Sequence, residues 1–232
     1  MSSKTYPTLS LEQSLFDSGV RFVIGIDEVG RGSLFGPVAV GVAVLEASQH
    51  SGRADWPAEL CDSKLIPQKT RERIFEPVAD WVSGWAVGMA SAAEIDSLGI
   101  TRCLSLAAER AVRDLAGELR AQIGSEPSSA KAILDGSHNW LGGAVGAVPS
   151  MVQTKADRDC VSVAAASVLA KVVRDRLMEQ MVLADAGLAA YGIAGNKGYS
   201  SAAHLEALRT IGPAAEHRET WLTKILGQDS LF

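Results

Sequence analysis

Residues 22–37 constrain the fold of this chain more than any other stretch. Phe22-Val23-Ile24-Gly25-Ile26 is an apolar, β-branched run that ends in two adjacent carboxylates, Asp27 and Glu28. A short run of this kind reads as a buried strand. Gly30-Arg31-Gly32 and Gly36-Pro37 follow, and then a second apolar run, Val38 to Leu45. Two acids at the end of a core strand are costly unless a cation or hydrogen bonds satisfy them. Successive strand residues point to opposite faces, so water easily takes at most one of the two. The plain reading is a strand end whose acids meet solvent. The sharper one is a metal-binding strand end beside a loop whose backbone can come close to a ligand.

The short link between the two runs predicts an antiparallel pair, roughly residues 22–28 and 38–45. Residues 11–16 form a short helix and 47–56 a polar loop. A helix over 67–78 carries Pro77 near its end, where it would kink or stop the helix. A third strand covers 82–90, a short helix 91–98 and a long amphipathic helix 101–123. Residues 131–135 and 148–155 are two more strands. A second long helix runs from Asp157 to about 183. Residues 186–199 are Gly-rich and irregular, 200–211 are helical up to Gly212-Pro213, and 214–226 are mostly helical. This order predicts an α/β fold with a mixed sheet flanked by helices and a small helical segment at the C-terminal end. The division expected is a main domain over 1–186, a helical segment over 187–227 and a tail over 228–232.

Of the 232 residues 47% are hydrophobic and 21% charged, which is ordinary globular composition. No run approaches the roughly 18 apolar residues of a membrane span. The three cysteines are odd in number and far apart, which predicts reduced thiols in a cytoplasmic protein. Four scattered histidines show no metal-binding spacing. The net charge of −5 speaks weakly against nucleic acid as a partner. However, a local basic rim is compatible with that sum, and bound cations would restore charge that a carboxylate cluster subtracts.

Asp135 ends a second strand, and Asp157 and Asp159 stand where a strand turns into a helix. Strand ends on one sheet edge converge, so these acids can share a site with Asp27 and Glu28. Hard divalent cations such as Mg²⁺ take oxygen ligands, a few carboxylates plus substrate phosphates. Two ions about 3.5–4 Å apart clamp the attacking and leaving oxygens of a phosphodiester. That chemistry needs no histidine, cysteine or serine nucleophile. Taken singly, Asp135 reads equally well as a turn acid before Gly136 and Asp157 as a helix N-cap. Asp62, Asp159 and Asp175 read as solvated or paired charges. Gly30-Arg31-Gly32 offers backbone N–H groups with little side-chain obstruction and one guanidinium, suited to close approach to a nucleic-acid backbone.

Gly25-Ile26-Asp27-Glu28-Val29-Gly30-Arg31-Gly32-Ser33-Leu34-Phe35-Gly36-Pro37 resembles the opening motif of ribonuclease HII, the prokaryotic type 2 ribonuclease H. Asp62-Ser63-Lys64, Ile133-Leu134-Asp135-Gly136, Lys155-Ala156-Asp157 with the helix to Lys171, Asn196-Lys197-Gly198-Tyr199 with His204, and Gly212-Pro213 with His217-Arg218 resemble further segments of that family, in order. The resemblance implies a ribonuclease H-like fold. It implies cleavage of RNA in RNA·DNA hybrids and incision 5′ of a single ribonucleotide in duplex DNA, leaving 3′-hydroxyl and 5′-phosphate ends. By motif match, Asp27, Glu28, Asp135 and Asp157 would hold Mg²⁺ or Mn²⁺. Gly30, Arg31 and Gly32 would read the ribose 2′-hydroxyl, the group that separates RNA from DNA at one site. Tyr199 would pack on the next deoxyribose, and Lys64 joins them as a substrate-binding residue.

Several positions depart from the family pattern: Asp159 stands where a basic residue is frequent, Leu65 replaces a Lys, and Asn196 a His. The flank is therefore less basic, and non-specific attraction to DNA should be weaker. Gln228-Asp229-Ser230-Leu231-Phe232 resembles the short peptide that binds the bacterial sliding clamp, with Gln228, Leu231 and Phe232 as its anchors. A monomer is the expected state. The alternative from another class is a non-catalytic nucleic-acid or clamp-binding module on the same fold.

Overall fold

In the computed structural model, which describes residues 6–226, strand β1 (Phe22–Val29) occupies the middle of a five-stranded sheet. The others are β2 (Val38–Glu46), β3 (Gly84–Ala90), β4 (Ala130–Asp135) and β5 (Ser150–Gln153), in the spatial order β3-β2-β1-β4-β5. β1 and β2 are antiparallel, as their short link predicts, and β3 pairs antiparallel with β2 across a much longer connection, whereas β4 is parallel to β1 and β5 to β4. The sheet is mixed, as expected.

The described residues also form the α-helices α1 (Ser10–Asp17), α2 (Ala47–His50), α3 (Gln68–Trp81), α4 (Ala92–Leu98), α5 (Ile100–Asp114), α6 (Gly117–Ser125), α7 (Ala156–Asp159), α8 (Val161–Ala184), α9 (Ile193–Asn196), α10 (Ala202–Ile211) and α11 (Glu219–Leu226). Period-two alternation sorts the central strand between two cores. Phe22, Ile24 and Ile26 pack with Leu104, Ala107 and Ala111 of α5, while Val23 packs with Val163, Ala166 and Val168 of α8. Each such buried branched side chain contributes about 1.5–3 kcal/mol relative to exposure. From Val161 to Ala170 every residue of α8 is buried, so this helix lies flat in the interior rather than amphipathically on its surface. Two strand glycines make that possible. A Cβ on Gly25 would overlap the backbone of Ser162, and one on Gly41 that of Ala166.

The segments differ from the sequence reading where the backbone turns without any interruption of the apolar pattern. The single helix expected over 101–123 is two helices, α5 and α6, because Leu115 and Ala116 are extended between them. The helix expected from Asp157 is likewise interrupted at Cys160, which separates α7 from α8. Residues 47–50 are helical rather than a loop, and α3 runs through Pro77 to Trp81. Residues 214–218 are not helical; they pair with the loop after β1 instead.

The C-terminal elements have their own small core. Leu188, Tyr191, Ile193, Leu208 and Leu222 close over Leu34 and Phe35 of that loop and over Met178 of α8. Asp96 of α4 fastens α11, accepting from Glu219 N, Thr220 N and Thr220 Oγ1 at 2.5–3.0 Å. Among the described residues, no helix is long and apolar enough to cross a membrane. Cys61, Cys103 and Cys160 are buried and form no disulfide among the described residues.

Candidate active site

The parallel pairing of β1 with β4 places the first acids together. Ile26 pairs with Leu134, so Asp27 and Asp135 leave adjacent strands side by side. Asp27 shares the parity of Val23 and Gly25 and faces α8, whereas Glu28 follows Ile24 and Ile26 onto the other face. Asp27 is buried, 3% exposed; Asp157 is 5% exposed; Glu28 and Asp135 are half-buried. Asp27 Oδ1 accepts the Glu28 N–H at 2.9 Å, and Ser167 of α8 also hydrogen-bonds the Asp27 carboxylate. Ser63 Oγ lies 2.9 Å from Ser167 Oγ and donates to it, since the single Ser167 hydroxyl hydrogen is engaged by Asp27.

Asp157 is not the N-cap of its helix. Lys155, in the left-handed conformation at φ 61°, takes that position, and the carboxylate at the helix start belongs to Asp135. Asp135 Oδ1 accepts the Ala156 N–H at 2.6 Å and the Asp157 N–H at 3.5 Å. The acid at the end of β4 thus orients the turn that presents the last acid. Lys64 Nζ stands 3.5 Å from Asp157 Oδ2, and Arg31 reaches Glu28 Oε1 at 3.3 Å. Asp62 Oδ1 accepts the Lys64 N–H at 2.9 Å. Asp62, Lys64, Asp135, Thr154, Lys155 and Asp157 line an open cleft of ≈ 420 Å³.

The charges act on one another. Burial, then Glu28, Asp135 and Asp157, push the Asp27 carboxyl well above the usual range, against the Ser167 hydrogen bond. Burial raises Glu28 and Asp157 as well, with Asp135 adding to both and Arg31 and Lys64 opposing. Lys64, exposed at the rim, is raised against partial desolvation because Asp157, Asp27 and Asp62 surround it. Asp159 stands apart. Its carboxylate is held by Arg158 at 2.6 and 2.8 Å, which lowers it, so the doubled acid does not compete with Asp157.

A hard divalent cation fits this set. All four donors are carboxylates, and added positive charge would relieve the repulsion that burial sharpens. Among the described residues, no three acid, imidazole or thiol groups form a closed cage around one point. Mg²⁺ is ordinarily held by one or two carboxylates with waters and substrate phosphates completing the shell.

The Gly-Arg-Gly turn is held from behind. Arg218, fully buried, donates to the carbonyls of Gly30, Arg31 and Gly36 at 2.7–3.1 Å. Arg174 of α8, equally buried, donates to Pro37 O, Phe35 O, Lys197 O and Ser33 Oγ at 2.8–3.2 Å. Among the described residues neither guanidinium has a carboxylate partner within 4.0 Å. Tyr199 is 39% exposed, and its hydroxyl accepts the Gly30 N–H at 3.2 Å. Leu34 N donates to Gly198 O at 2.8 Å, so the Lys197-Gly198-Tyr199 turn lies directly against the loop.

The fold therefore brings Asp27, Glu28, Asp135, Asp157 and Lys64 to one sheet edge, and Gly30, Arg31, Gly32 and Tyr199 beside it. Gln228, Leu231 and Phe232 lie outside the described residues. Sequence reasoning quoted Ser63 and Arg218 only within motifs and gave no role to them, to Arg174 or to Ser167. One signal was present for Arg174: it follows Ala166 and Ala170 at helical spacing, on a face that is otherwise wholly buried.

A family model described as ribonuclease HII matches residues 24–224. A ribonuclease HII of Streptomyces griseus is 42% identical over 218 residues, covering 93% of this chain and 84% of the relative. Among solved structures, the ribonuclease H2 of Pyrococcus horikoshii OT3 is similar with a TM-score of 0.67 and 25% identity, over 91% of this chain and 100% of that one. The RNase HII of the PCNA:RNase HII complex from Archaeoglobus fulgidus is similar with a TM-score of 0.63 and 24% identity, over 87% and 94%.

Proposed function

Because the chain belongs to the ribonuclease HII family, a family of type 2 ribonuclease H hydrolases with a ribonuclease H-like fold, we propose that it cleaves the RNA strand of RNA·DNA hybrids and incises duplex DNA 5′ of a single embedded ribonucleotide, leaving 3′-hydroxyl and 5′-phosphate ends. The observation that carries this reading is the adjacency of two structures: the carboxylate edge and the clamped Gly30-Arg31-Gly32 turn, bridged by Glu28 and Arg31.

Asp27, Glu28, Asp135 and Asp157 would hold Mg²⁺ or Mn²⁺. When bound, such an ion supplies Lewis-acid charge to the attacking and leaving oxygens of an in-line phosphodiester displacement. The chain's own groups bind and orient. Lys64, mostly exposed at the rim, offers an ammonium to a backbone phosphate. Arg174 and Arg218 hold the loop's carbonyls, which leaves the turn rigid for close contact with a ribose. The Gly30 N–H and the Tyr199 hydroxyl, bonded to each other here, are the donor and acceptor that a 2′-hydroxyl can engage. The Tyr199 ring then lies against the neighbouring deoxyribose.

The tail residues Gln228, Leu231 and Phe232 would dock on a bacterial sliding clamp. Support comes from their order at the chain end and from the Archaeoglobus fulgidus complex, in which an RNase HII is joined to PCNA. Deleting 228–232 should abolish clamp binding and leave cleavage of naked duplex unchanged; unchanged clamp binding would remove this assignment. We further take the protein to act as a cytoplasmic monomer, with residues 187–227 completing the substrate site of the 1–186 domain.

The nuclease reading is tested with a duplex carrying one ribonucleotide, incubated with Mg²⁺, with Mn²⁺ or with chelator. Cutting 5′ of the ribonucleotide, lost with chelator and in Asp135→Asn, is the expected result. Binding without cutting would favour a non-catalytic module, and equal cutting of all-DNA duplex a nuclease without ribose selectivity.

A further inference from the structure

We propose that His204 and His217 form a neutral, hydrogen-bonded pair that locks Tyr199 in register with the Gly30–Gly36 loop, making both histidines positioning residues for ribonucleotide selectivity. The proposal rests on the reading that Tyr199 and this loop meet the ribose.

Both rings are buried, at 0% and 1% exposure, and their Nε2 atoms are 2.9 Å apart. Two imidazole nitrogens at that distance need one donor and one acceptor. The outer contacts decide which is which. His204 Nδ1 lies 2.9 Å from the Tyr199 carbonyl, which can only accept, so Nδ1 carries the hydrogen of a neutral His204. Its Nε2 is then bare and accepts from His217 Nε2–H. That leaves His217 Nδ1 bare, and the Ala214 N–H donates to it at 2.9 Å. Every polar atom of the relay is satisfied with no charge on either ring. The reverse assignment, with His217 Nδ1–H on Ala214 O at 3.0 Å, leaves two bare Nε2 atoms facing each other unless a proton is added.

The surroundings disfavour that proton. Phe35 and Tyr191 pack edgewise or tilted on His217 at 4.9 and 4.8 Å, and Tyr191 lies 6.0 Å from His204. The Tyr191 hydroxyl donates to Gly212 O. Arg218 follows His217 in the chain, the exposed Glu216 precedes it, and Arg174 sits behind the same loop. The hydrogen bonds of the two rings run to each other and to backbone alone. Burial lowers His204, and burial followed by His204 itself lowers His217.

The pair closes a circuit. Gly36 N donates to Glu216 O and Arg218 N to Leu34 O, so residues 216–218 are stitched to the loop. Arg218 holds the carbonyls of Gly30 and Arg31, and the Gly30 N–H returns to the Tyr199 hydroxyl. Tyr199 O takes the Ser201 N–H as well as the His204 Nδ1–H. Opening the pair would leave the tyrosine and the loop chemically intact but free to shift against each other. A displacement of that kind damages orientation-dependent recognition.

The test compares kcat/KM for a duplex with one ribonucleotide against a continuous hybrid. His204→Phe keeps the ring volume and removes the bond. The ratio is expected to fall at least about 10-fold, through KM, with Mn²⁺ affinity unchanged. His217→Gln, which can still donate to His204, is expected to keep most of the wild-type ratio. A folded His204→Phe with the wild-type ratio overturns the proposal. Tyr199→Ala separates the two levels. If it leaves the ratio unchanged, the reading of Tyr199 falls and the pair's role with it; if it lowers the ratio while His204→Phe does not, the pair alone falls. Should the variants fail to fold, ¹⁵N-histidine NMR of the wild-type protein decides. Neutral rings at pH 7.5, with hydrogens on His204 Nδ1 and His217 Nε2, are expected. A charged ring or the opposite tautomers would overturn the proposal.

Discussion

Tyr199 Oη accepts the Gly30 N–H at 3.2 Å, joining residues 169 positions apart in sequence. One lies in the turn after α9, against the loop that follows the central strand; the other begins that loop's turn. The contact ties the C-terminal helical segment to the carboxylate edge of the sheet, and the properties expected of the protein follow from how it is held.

Asp27→Asn should abolish cleavage and stabilise the metal-free protein. The buried carboxylate stands among three other acids, and an amide keeps an acceptor for the Glu28 N–H without the charge. A loss of at least about 100-fold in kcat is expected, since even groups that only orient metal ligands are worth about 10–100-fold. The gain in metal-free stability should be on the order of 1 kcal/mol, or about 2–4 °C in Tm. Mg²⁺ or Mn²⁺ should raise the wild-type Tm by mass action and leave that of Asp27→Asn nearly unchanged. Thermal melts with and without metal, beside single-turnover cleavage, check both halves.

Arg218→Met should destabilise the fold by about 2–4 kcal/mol, because it strips donors from the buried carbonyls of Gly30, Arg31 and Gly36. The methionine fills most of the volume, so the loss is of hydrogen bonds more than of packing. Urea unfolding measures the change, and limited proteolysis should show new cleavage within residues 30–36.

These two arginines mark what the sequence conceals. The hairpin of β1 and β2 and its acidic end are legible because the spacing is local. The convergence of Asp135 and Asp157 is legible only as strand-end placement, and the parallel pairing that brings Asp135 beside Asp27 is long-range. Arg174 carries no role in the sequence reading and Arg218 appears there only within a motif, since nothing in a single chain announces that carbonyls 137–188 residues away will surround them. The helix break at Cys160 is hidden for a related reason: its apolar pattern continues while the backbone turns extended. The plain alternative for Asp157, a helix N-cap, fails because the Ala156 N–H goes to Asp135.

Stability in acid should carry a histidine signature. Burial, then His204, push His217 down to about 4, against about 6.5 in the unfolded chain. The unfolded state thus binds the extra proton first. The stability present above about pH 6.5 is lost as pH falls towards about 4. The raised carboxyls of Asp27, Glu28 and Asp157 act in the opposite sense in metal-free protein, gaining stability as they protonate. The difference between wild type and His217→Gln isolates the histidine. Tm of the wild type should fall more steeply between pH 6.5 and 4 than that of the variant, and parallel curves would count against the neutral pair.

Cleavage should weaken steeply with added salt. The chain carries a net charge of −5, so attraction to the duplex rests on local cations such as Lys64 and Arg31 rather than on a basic surface. A plot of log kcat/KM against log salt should slope downward, and Lys64→Ala should flatten it by about one phosphate contact. A rate constant from low to physiological salt would contradict this.

Gly30→Ala tests the division of labour most directly. Gly30 sits at φ 80°, and a Cβ there would collide with the Arg174 guanidinium. The substitution therefore strains the turn and displaces its clamp while leaving every carboxylate in place. The measurement is the cleavage map and rate on duplex DNA with one ribonucleotide, set against a continuous hybrid and against Mn²⁺ affinity. The expected result is loss of preferred incision 5′ of the lone ribonucleotide, with Mn²⁺ affinity retained and hybrid cleavage reduced much less. Wild-type selectivity in Gly30→Ala, or a loss of metal binding equal to the loss of selectivity, would contradict the assignment of ribose recognition to this turn.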